Sequence, residues 1–290
     1  APGAKPFLAF AAMAVLNPGD EALVPDPGFP IYDSMVNYLG AKVVPYHLKP
    51  ELDFSPDPDQ LRSLVTPRTR LMILNTPHNP TGGVIPLETL RAMADLAIEH
   101  NLYVLSDEVY GRLTYGAQHH SIAALPGMLD RTVLLDGASK AYAMTGWRLG
   151  FAHLPAELVP VIERLLINTV SCTPAFSQHA IVAALDGPQH AVDGMREEFA
   201  ARRKYIVSAL REIPGITVND PLGAFYVFPN FSAYGSSADV ANGLLEDAGV
   251  ATLDGVAFGA AGAGHLRISY ANSMENLHEA IARIRTQLGV

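Results

Sequence analysis

A lysine and an arginine stand close together in the stretch DGASKAYAMTGWRLG, residues 136–150. Lys140 follows an apolar run, Thr132–Asp136, which predicts a buried strand. Burial disfavours the charged form of a lysine, so its pKa falls and its free amine can attack a carbonyl. Arg148 offers a fixed cation and a fork of donors suited to a phosphate. The pair predicts a site for an aldehyde that carries a phosphate, unless Lys140 is a solvated surface residue.

Polar side chains also follow two other apolar runs. Asp107 comes at the end of one, and a buried carboxylate needs a partner. That partner could be the protonated ring nitrogen of a ligand, a structural cation or a helix end. Asn79, in the loop after the other run, and Tyr110 could both donate to a phenolate oxygen. Ordinary hydrogen bonds in the core or in a turn are the alternative for both residues.

Further candidates lie near the two ends of the chain. Arg267 stands inside an apolar, strand-like run, where its guanidinium needs a carboxylate from the protein or from a substrate. Phe29 follows a short apolar run and could stack on a flat ligand or pack in the core. Gly3, Ala4 and Lys5 open a helix whose free N–H groups and positive dipole end suit a phosphate.

The elements that must position these residues alternate between apolar strands and helical stretches up to Arg148. This alternation predicts an α/β fold with a parallel sheet, which binds ligands beyond the carboxyl ends of its strands. After Arg148 come helices and short strands, predicted at 217–218, 224–228, 250–253 and 265–269. We expect a domain boundary near Arg203, inside a long helix, which gives a large domain 1–203 and a small α+β domain 204–290.

Composition narrows the classes of protein that this chain could be. It has 290 residues, is 49% hydrophobic and carries a net charge of -9. The charge argues against nucleic acid as the main partner, and no early apolar run is long enough to cross a membrane. Its one cysteine, Cys172, excludes an internal disulfide framework and indicates a reducing compartment, hence a cytoplasmic location. His119 and His120 lack a second ligand pair, so no metal site is predicted.

Five motifs occur together: GAKPFLAFAAMAVLNPGDEALVPDPGFPIY, NTPHNPTGG, LSDEVY, SKAYAMTGWRLGF and HLRISYANSMENLHEAI. In this order and spacing they resemble the class I/II aminotransferases, fold-type-I enzymes that use pyridoxal phosphate. The resemblance covers essentially the whole chain and is near the bacterial aspartate and aromatic branch. It implies a mostly parallel sheet flanked by helices, a smaller C-terminal α+β domain, and a homodimer with a shared active site. It also implies that the chain starts late, without the first strand of the large sheet.

The resemblance also implies a role for each candidate. Lys140 would form the Schiff base with the cofactor and then carry a proton between Cα and C4′. Asp107 would pair with the pyridinium nitrogen, Asn79 and Tyr110 would donate to O3′, and Phe29 would stack on the ring. The phosphate would be bound by Gly3, Ala4, Lys5, Ser139 and Arg148. The substrate carboxylate would be bound by Arg267, with Asn79 as a second substrate contact. Gly137 stands where many members have a phosphate-binding serine, and Ser139 would substitute for it.

The implied activity is transfer of an amino group from an L-α-amino acid to a 2-oxo acid. A β-eliminating lyase on the same scaffold is one alternative, because the cofactor chemistry is common to both. The effector domain of a transcription regulator, which has no enzymatic role, is another. Residues 170–174 contain no arginine that could bind a second substrate carboxylate, which weakens a specific assignment to aspartate.

Overall fold

The computed structural model describes residues 1–290, with nine strands and ten α-helices. The strands are β1 (Glu21–Asp26), β2 (Lys42–His47), β3 (Thr69–Asn75), β4 (Tyr103–Asp107), β5 (Thr132–Gly137), β6 (Gly150–His153), β7 (Tyr226–Val227), β8 (Leu253–Asp254) and β9 (Leu266–Ser269). The helices are α1 (Lys5–Val15), α2 (Ile31–Tyr38), α3 (Pro58–Leu64), α4 (Leu87–Glu99), α5 (Ala138–Ala141), α6 (Val159–Thr169), α7 (Ala175–Asp186), α8 (His190–Arg211), α9 (Ser237–Glu246) and α10 (Met274–Leu288).

The large sheet has six strands in the order β2-β1-β3-β4-β5-β6. The strands β1 to β5 are parallel, and only β6 runs antiparallel, against β5. Asn75 at the end of β3 pairs in register with Asp107 at the end of β4. The next strand, β5, leads directly into the short helix α5, which carries Lys140. The predicted mostly parallel sheet is confirmed, and its carboxyl edge gathers the chemically capable residues.

Apolar residues on both faces of this sheet are covered by helices. Leu71 and Ile73 of β3 belong to a core that includes α1 and α6, while Met72 and Leu74 belong to a second core that includes α4. This alternation follows from the two-residue period of a strand. With both faces buried, the strand is nearly continuous in apolar residues, as parallel strands are.

A second, three-stranded antiparallel sheet lies in the C-terminal part, in the order β7-β9-β8. The strand predicted at 217–218 is absent, because Thr217 forms only an isolated bridge to Asn230. The strand predicted at 250–253 is also largely wrong. The N–H of Val250 is held by the carbonyl of Leu244, at the end of α9, so the strand begins only at Leu253.

The long helix α8 connects the two sheets through its buried face. Its residues Phe199 and Leu210 share one core with Leu113, which follows β4, and with Ile284 of α10. The helix therefore holds the C-terminal sheet, with Arg267 on β9, against the carboxyl edge of the large sheet. None of the helices combines the length and the apolar character that crossing a bilayer requires.

Candidate active site

A cavity of about 270 Å³ opens at the carboxyl edge of the large sheet. It is lined by residues from α1, from the ends of β3, β4 and β5, and from the C-terminal sheet. Of the eleven site residues predicted from the sequence, ten line this cavity: Ala4, Lys5, Phe29, Asn79, Asp107, Tyr110, Ser139, Lys140, Arg148 and Arg267. The structure thus brings together, in one place, side chains separated by up to 263 positions (267 minus 4) along the chain.

The remaining predicted residue, Gly3, does not line the cavity, and its backbone lies against Arg148. Its φ is +87°, and a Cβ there would lie 2.3 Å from Nη2 of Arg148. The guanidinium donates from Nη1 to the carbonyl of Thr145 at 2.9 Å and from Nη2 to that of Pro2 at 3.4 Å. Glycine is required because only a residue without a side chain lets the arginine lie against this backbone.

Lys140 is half-buried, with its Nζ near two aromatic rings. The ring centroids of Tyr110 and Phe225 lie 5.6 and 5.5 Å from it. Burial lowers the pKa of Lys140; Asp107 opposes this effect, and Arg267, Arg148 and Lys5 lower the pKa further. The amine is therefore easier to deprotonate than an exposed lysine, as a nucleophile or a base must be.

Asp107 is buried and has no cation among its hydrogen-bond partners. Oδ2 accepts a hydrogen bond from the hydroxyl of Tyr32 at 2.7 Å, and Oδ1 accepts a long one, 3.4 Å, from the N–H of Val109. Burial raises the pKa of Asp107 to about 6, although the bond from Tyr32 acts in the opposite direction. A cationic group of a ligand at this carboxylate would supply the missing charge.

Arg267 reaches the cavity from β9 and meets Asn79 there. Its Nη1 donates to Oδ1 of Asn79 at 3.1 Å, which leaves the amide NH₂ of Asn79 free to donate elsewhere. Its Nε is buried and has no hydrogen-bond partner. The guanidinium carbon lies 4.5 Å from the ring centroid of Tyr226 and 5.0 Å from that of Phe258. An arginine held in this way, with an unused buried donor, is suited to a carboxylate.

The charges that line the cavity are strongly unbalanced. Its four basic residues are Lys5, Lys140, Arg148 and Arg267, and Asp107 is its one carboxylate. None of the four cations forms a salt bridge. In a chain whose net charge is -9, this is a local positive site. It fits a ligand that carries phosphate and carboxylate groups.

Two tyrosines that line the cavity were missed in the sequence. Tyr32 lies on the first turn of α2, and Tyr226 lies on β7, where its hydroxyl is 3.0 Å from that of Tyr110. Tyr32 stands three residues after the candidate Phe29, on the first turn of α2, so its nearness in the chain to a predicted site residue was a usable signal. Tyr226 gave no comparable signal, since its place depends on strand pairing.

Comparison with known proteins identifies the family. Residues 1–284 match the model described as "Aminotransferase class I and II". The chain belongs to this family. It is 40% identical to the aspartate aminotransferase of Pyrococcus horikoshii and to the arginine–pyruvate transaminase of Pseudomonas aeruginosa, covering 97% of this chain and 72% of each relative. A crystal structure of the aromatic aminotransferase from Pyrococcus horikoshii superposes with a TM-score of 0.96 at 40% identity, covering 99% of this chain and 77% of that one.

These findings confirm the predicted family, the type I fold and the activity. The protein is an aminotransferase that transfers amino groups between amino acids and 2-oxo acids, with pyridoxal phosphate as its cofactor. Neither the lyase nor the transcription regulator is favoured. The cavity fits the cofactor in three independent respects: a lysine whose pKa is lowered, a carboxylate that lacks a cation, and basic side chains without acidic partners.

Proposed function

We propose that this aminotransferase moves the amino group of an L-α-amino acid to a 2-oxo acid at the cavity that contains Lys140. The observation that carries the proposal is the joint presence, in that cavity, of Lys140, Asp107 and Arg267. The first has a lowered pKa, the second has no cationic partner, and the third has a buried Nε without a partner. These are the features required to attack a carbonyl, to hold a cationic ring nitrogen and to bind a carboxylate.

The residues around Lys140 would hold pyridoxal phosphate in place. When bound, this cofactor supplies an aldehyde that takes up the amino group and a ring that accepts the electron pair of the substrate Cα. Asp107 would keep a proton at the ring nitrogen, because a buried carboxylate is stabilised by a cation beside it. The contacts that we propose for the rest of the cofactor are Asn79 and Tyr110 at O3′, Phe29 on the ring face, and Gly3, Ala4, Lys5, Ser139 and Arg148 around the phosphate.

Lys140 would have two successive tasks at its Nζ. As a free amine it would hold the cofactor through its aldehyde, and once an amino acid has taken its place the amine would remain beside the substrate. There Nζ would take the proton from the substrate Cα as a general base and then deliver it to C4′ of the cofactor as a general acid. The lowered pKa matters for both tasks, because a lysine with an ordinary pKa stays protonated near neutral pH.

Arg267 and Asn79 would seat the substrate. The guanidinium of Arg267 would bind the α-carboxylate, and its hydrogen bond to Asn79 would fix the distance between that carboxylate and the cofactor. Both the amino acid and the 2-oxo acid carry a carboxylate at this position, so one seat serves both halves of the reaction. The relatives are named for aspartate, arginine and aromatic amino acids, so these classes form the natural first panel of substrates.

The test uses purified protein with added pyridoxal phosphate and that panel, with pyruvate and 2-oxoglutarate as acceptors. We expect a new 2-oxo acid together with the aminated acceptor, and a visible absorption band that Lys140→Ala abolishes. Arg267→Ala should weaken amino-acid binding about 30-fold or more, as expected for a lost charge-assisted pair, and leave cofactor binding nearly unchanged. Ammonia with pyruvate as the products, or an unaltered band in Lys140→Ala, would contradict the proposal.

We further propose that the protein forms a homodimer whose subunits share their active sites. This is supported by an apolar face on α6 and α7, where the side chains of Ile167, Phe176 and Val182 are exposed. The ring of Phe176 meets that of Trp147 edge-on, and Trp147 precedes the cavity residue Arg148 in the chain, so this face lies near the cavity. Sedimentation of wild type and Phe176→Glu is the test. Wild type should be dimeric and the variant monomeric, and a monomeric wild type would contradict the proposal.

We propose in addition that the chain divides near Arg203 into domains 1–203 and 204–290. The division is supported by the two separate sheets on either side of α8. A cytoplasmic location is proposed because the only cysteine, Cys172, is an exposed free thiol, which a reducing compartment would preserve.

A further inference from the structure

Tyr226 contacts two residues of the active site at the same time. It lies on β7 and pairs with Ser269 of the neighbouring antiparallel strand β9, two residues from Arg267. Diagonal neighbours of this kind lie on one face of a sheet, within reach of an aromatic ring and a long side chain. The guanidinium of Arg267 consequently lies over the ring of Tyr226, 4.5 Å from its centroid.

The hydroxyl of Tyr226 reaches a different part of the site. It lies 3.0 Å from the hydroxyl of Tyr110, and both side chains are buried. Each hydroxyl has one proton to donate. If Tyr110 donates its proton into the cavity, its oxygen can still accept a hydrogen bond, and Tyr226 is the hydroxyl that stands at that distance.

The geometry points to Tyr226 as a positioning residue that serves the two ends of the site through separate parts of one side chain. Its ring face supports Arg267, which seats the substrate carboxylate, and its hydroxyl donates to Tyr110, which donates to the cofactor phenolate oxygen. This inference rests on the proposed roles of Arg267 and Tyr110.

The two contacts should have different consequences. A hydrogen bond donated to Tyr110 polarises that hydroxyl and makes it a stronger donor, as in other hydrogen-bonded chains at low dielectric. Stronger donation stabilises the negative charge on the cofactor oxygen and lowers the pH at which the bound cofactor takes up a proton. The ring acts on Arg267 by a cation–π contact, so it should affect carboxylate binding and change that proton affinity less than the hydroxyl does.

Phe258 provides a matched control. Its ring centroid lies 5.0 Å from the guanidinium carbon of Arg267, and phenylalanine has no hydroxyl to donate. Replacing Phe258 therefore removes a ring contact of the same kind, whereas Tyr226→Phe removes only the hydroxyl. Tyr226→Leu removes both contacts, so the three variants separate the two functions.

The experiment measures two quantities in protein loaded with pyridoxal phosphate. The first is the pH at which half of the bound cofactor has taken up its proton, called the midpoint here and measured from the pH dependence of the visible absorption band. The second is the dissociation constant of an unreactive carboxylate, maleate or 3-phenylpropanoate, whichever wild type binds more tightly. Tyr226→Phe should raise the midpoint by about half a pH unit and change carboxylate binding less than about twofold. Phe258→Leu should weaken carboxylate binding about three- to tenfold and move the midpoint clearly less than Tyr226→Phe does.

Tyr226→Leu should show both effects together. The inference fails if Tyr226→Phe leaves the midpoint unchanged, if it weakens carboxylate binding as much as Tyr226→Leu does, or if Phe258→Leu moves the midpoint as far as Tyr226→Phe. Tyr110→Phe and Arg267→Ala distinguish this failure from failure of the proposed function. If Tyr110→Phe does not move the midpoint, or Arg267→Ala does not weaken carboxylate binding, the proposed roles themselves are wrong.

Discussion

Two buried carboxylates lie at opposite edges of the large sheet and have opposite environments. Glu21 begins β1 and accepts hydrogen bonds from Thr66, Arg68 and Lys42. These bonds, that from Thr66 first, lower the pKa of Glu21 to about 2 against the effect of burial. Asp107 ends β4 with only Tyr32 and a backbone N–H as donors, and burial raises its pKa to about 6.

The difference separates a structural carboxylate from one prepared for a ligand. At the amino edge of the sheet, Lys42 and Arg68 supply cations, so Glu21 stabilises the fold by itself. At the carboxyl edge, the chain places an acid in the interior with no cation hydrogen-bonded to it, and the nearby charge of Lys140 still leaves its pKa raised. A fold keeps such a cost where function requires it, and a cationic ring nitrogen at Asp107 would remove that cost.

The two carboxylates should differ most in how much their substitution lowers enzymatic activity. Asp107→Asn should lower kcat/KM by about 10²- to 10³-fold or more, because the ring nitrogen loses its negative partner. Glu21→Gln should change kcat/KM less than about threefold, since Glu21 is far from the chemistry and its loss is structural. Steady-state kinetics with saturating pyridoxal phosphate measures both values. Equal losses in the two variants would remove the distinction between the two carboxylates.

Asp107→Asn should lower activity but raise the stability of the cofactor-free protein. The pKa of Asp107 is raised from 3.8 to about 6. Ionisation of this carboxyl therefore costs folding free energy that grows as the pH rises through this range and is complete above pH 6. Asn keeps an oxygen that can accept the hydrogen bond from Tyr32. We therefore expect cofactor-free Asp107→Asn to be more stable than wild type by about 2 kcal/mol at pH 8, with the gain fading as the pH falls from 6 to 4. Urea unfolding across this range is the measurement, and a less stable variant at pH 8 would contradict it.

Glu21→Gln should change stability less than Asp107→Asn does, and it should lower stability where Asp107→Asn raises it. Its pKa is lowered from 4.5 to about 2, so its ionised form stabilises the protein above pH 4.5, and this contribution is lost as the pH falls towards 2. The side chains of Lys42 and Arg68 are 64% and 67% exposed, so solvent screens both pairs. Glu21→Gln should therefore cost only about 1 kcal/mol at pH 7 in the same unfolding experiment. A gain in stability at pH 7 would show that the pairs are unfavourable.

The residues at strand ends were the predictable part of this molecule. Apolar runs that end in Asp107 and in the segment of Lys140 indicate buried strands, and parallel strands bring their carboxyl ends to one edge. The local sequence pattern was therefore enough to predict both the parallel sheet and the polar residues at its carboxyl edge. The helix α10 also follows from local pattern, because its apolar residues recur at helical spacing after the cap of Ser273.

Contacts between distant segments could not be predicted in the same way. Tyr226 meets Arg267 only through the register of β7 against β9, and β7 is two residues long, too short to show a period. The bond between Tyr32 and Asp107 joins residues 75 positions apart. The false strand at 250–253 has the same origin, since β-branched and apolar residues there suited a strand while the end of α9 held Val250.

One measurement tests the central claim most directly: titration of the Asp107 carboxyl by carbon-13 NMR, with and without pyridoxal phosphate. The account predicts a pKa near 6 in the cofactor-free protein, which falls below about 4 when the cofactor is bound, while the titration of Glu21 does not change. An Asp107 pKa that stays the same on binding, or that already lies below about 4 without the cofactor, would contradict the claim that this carboxylate is kept without a cation for a ligand.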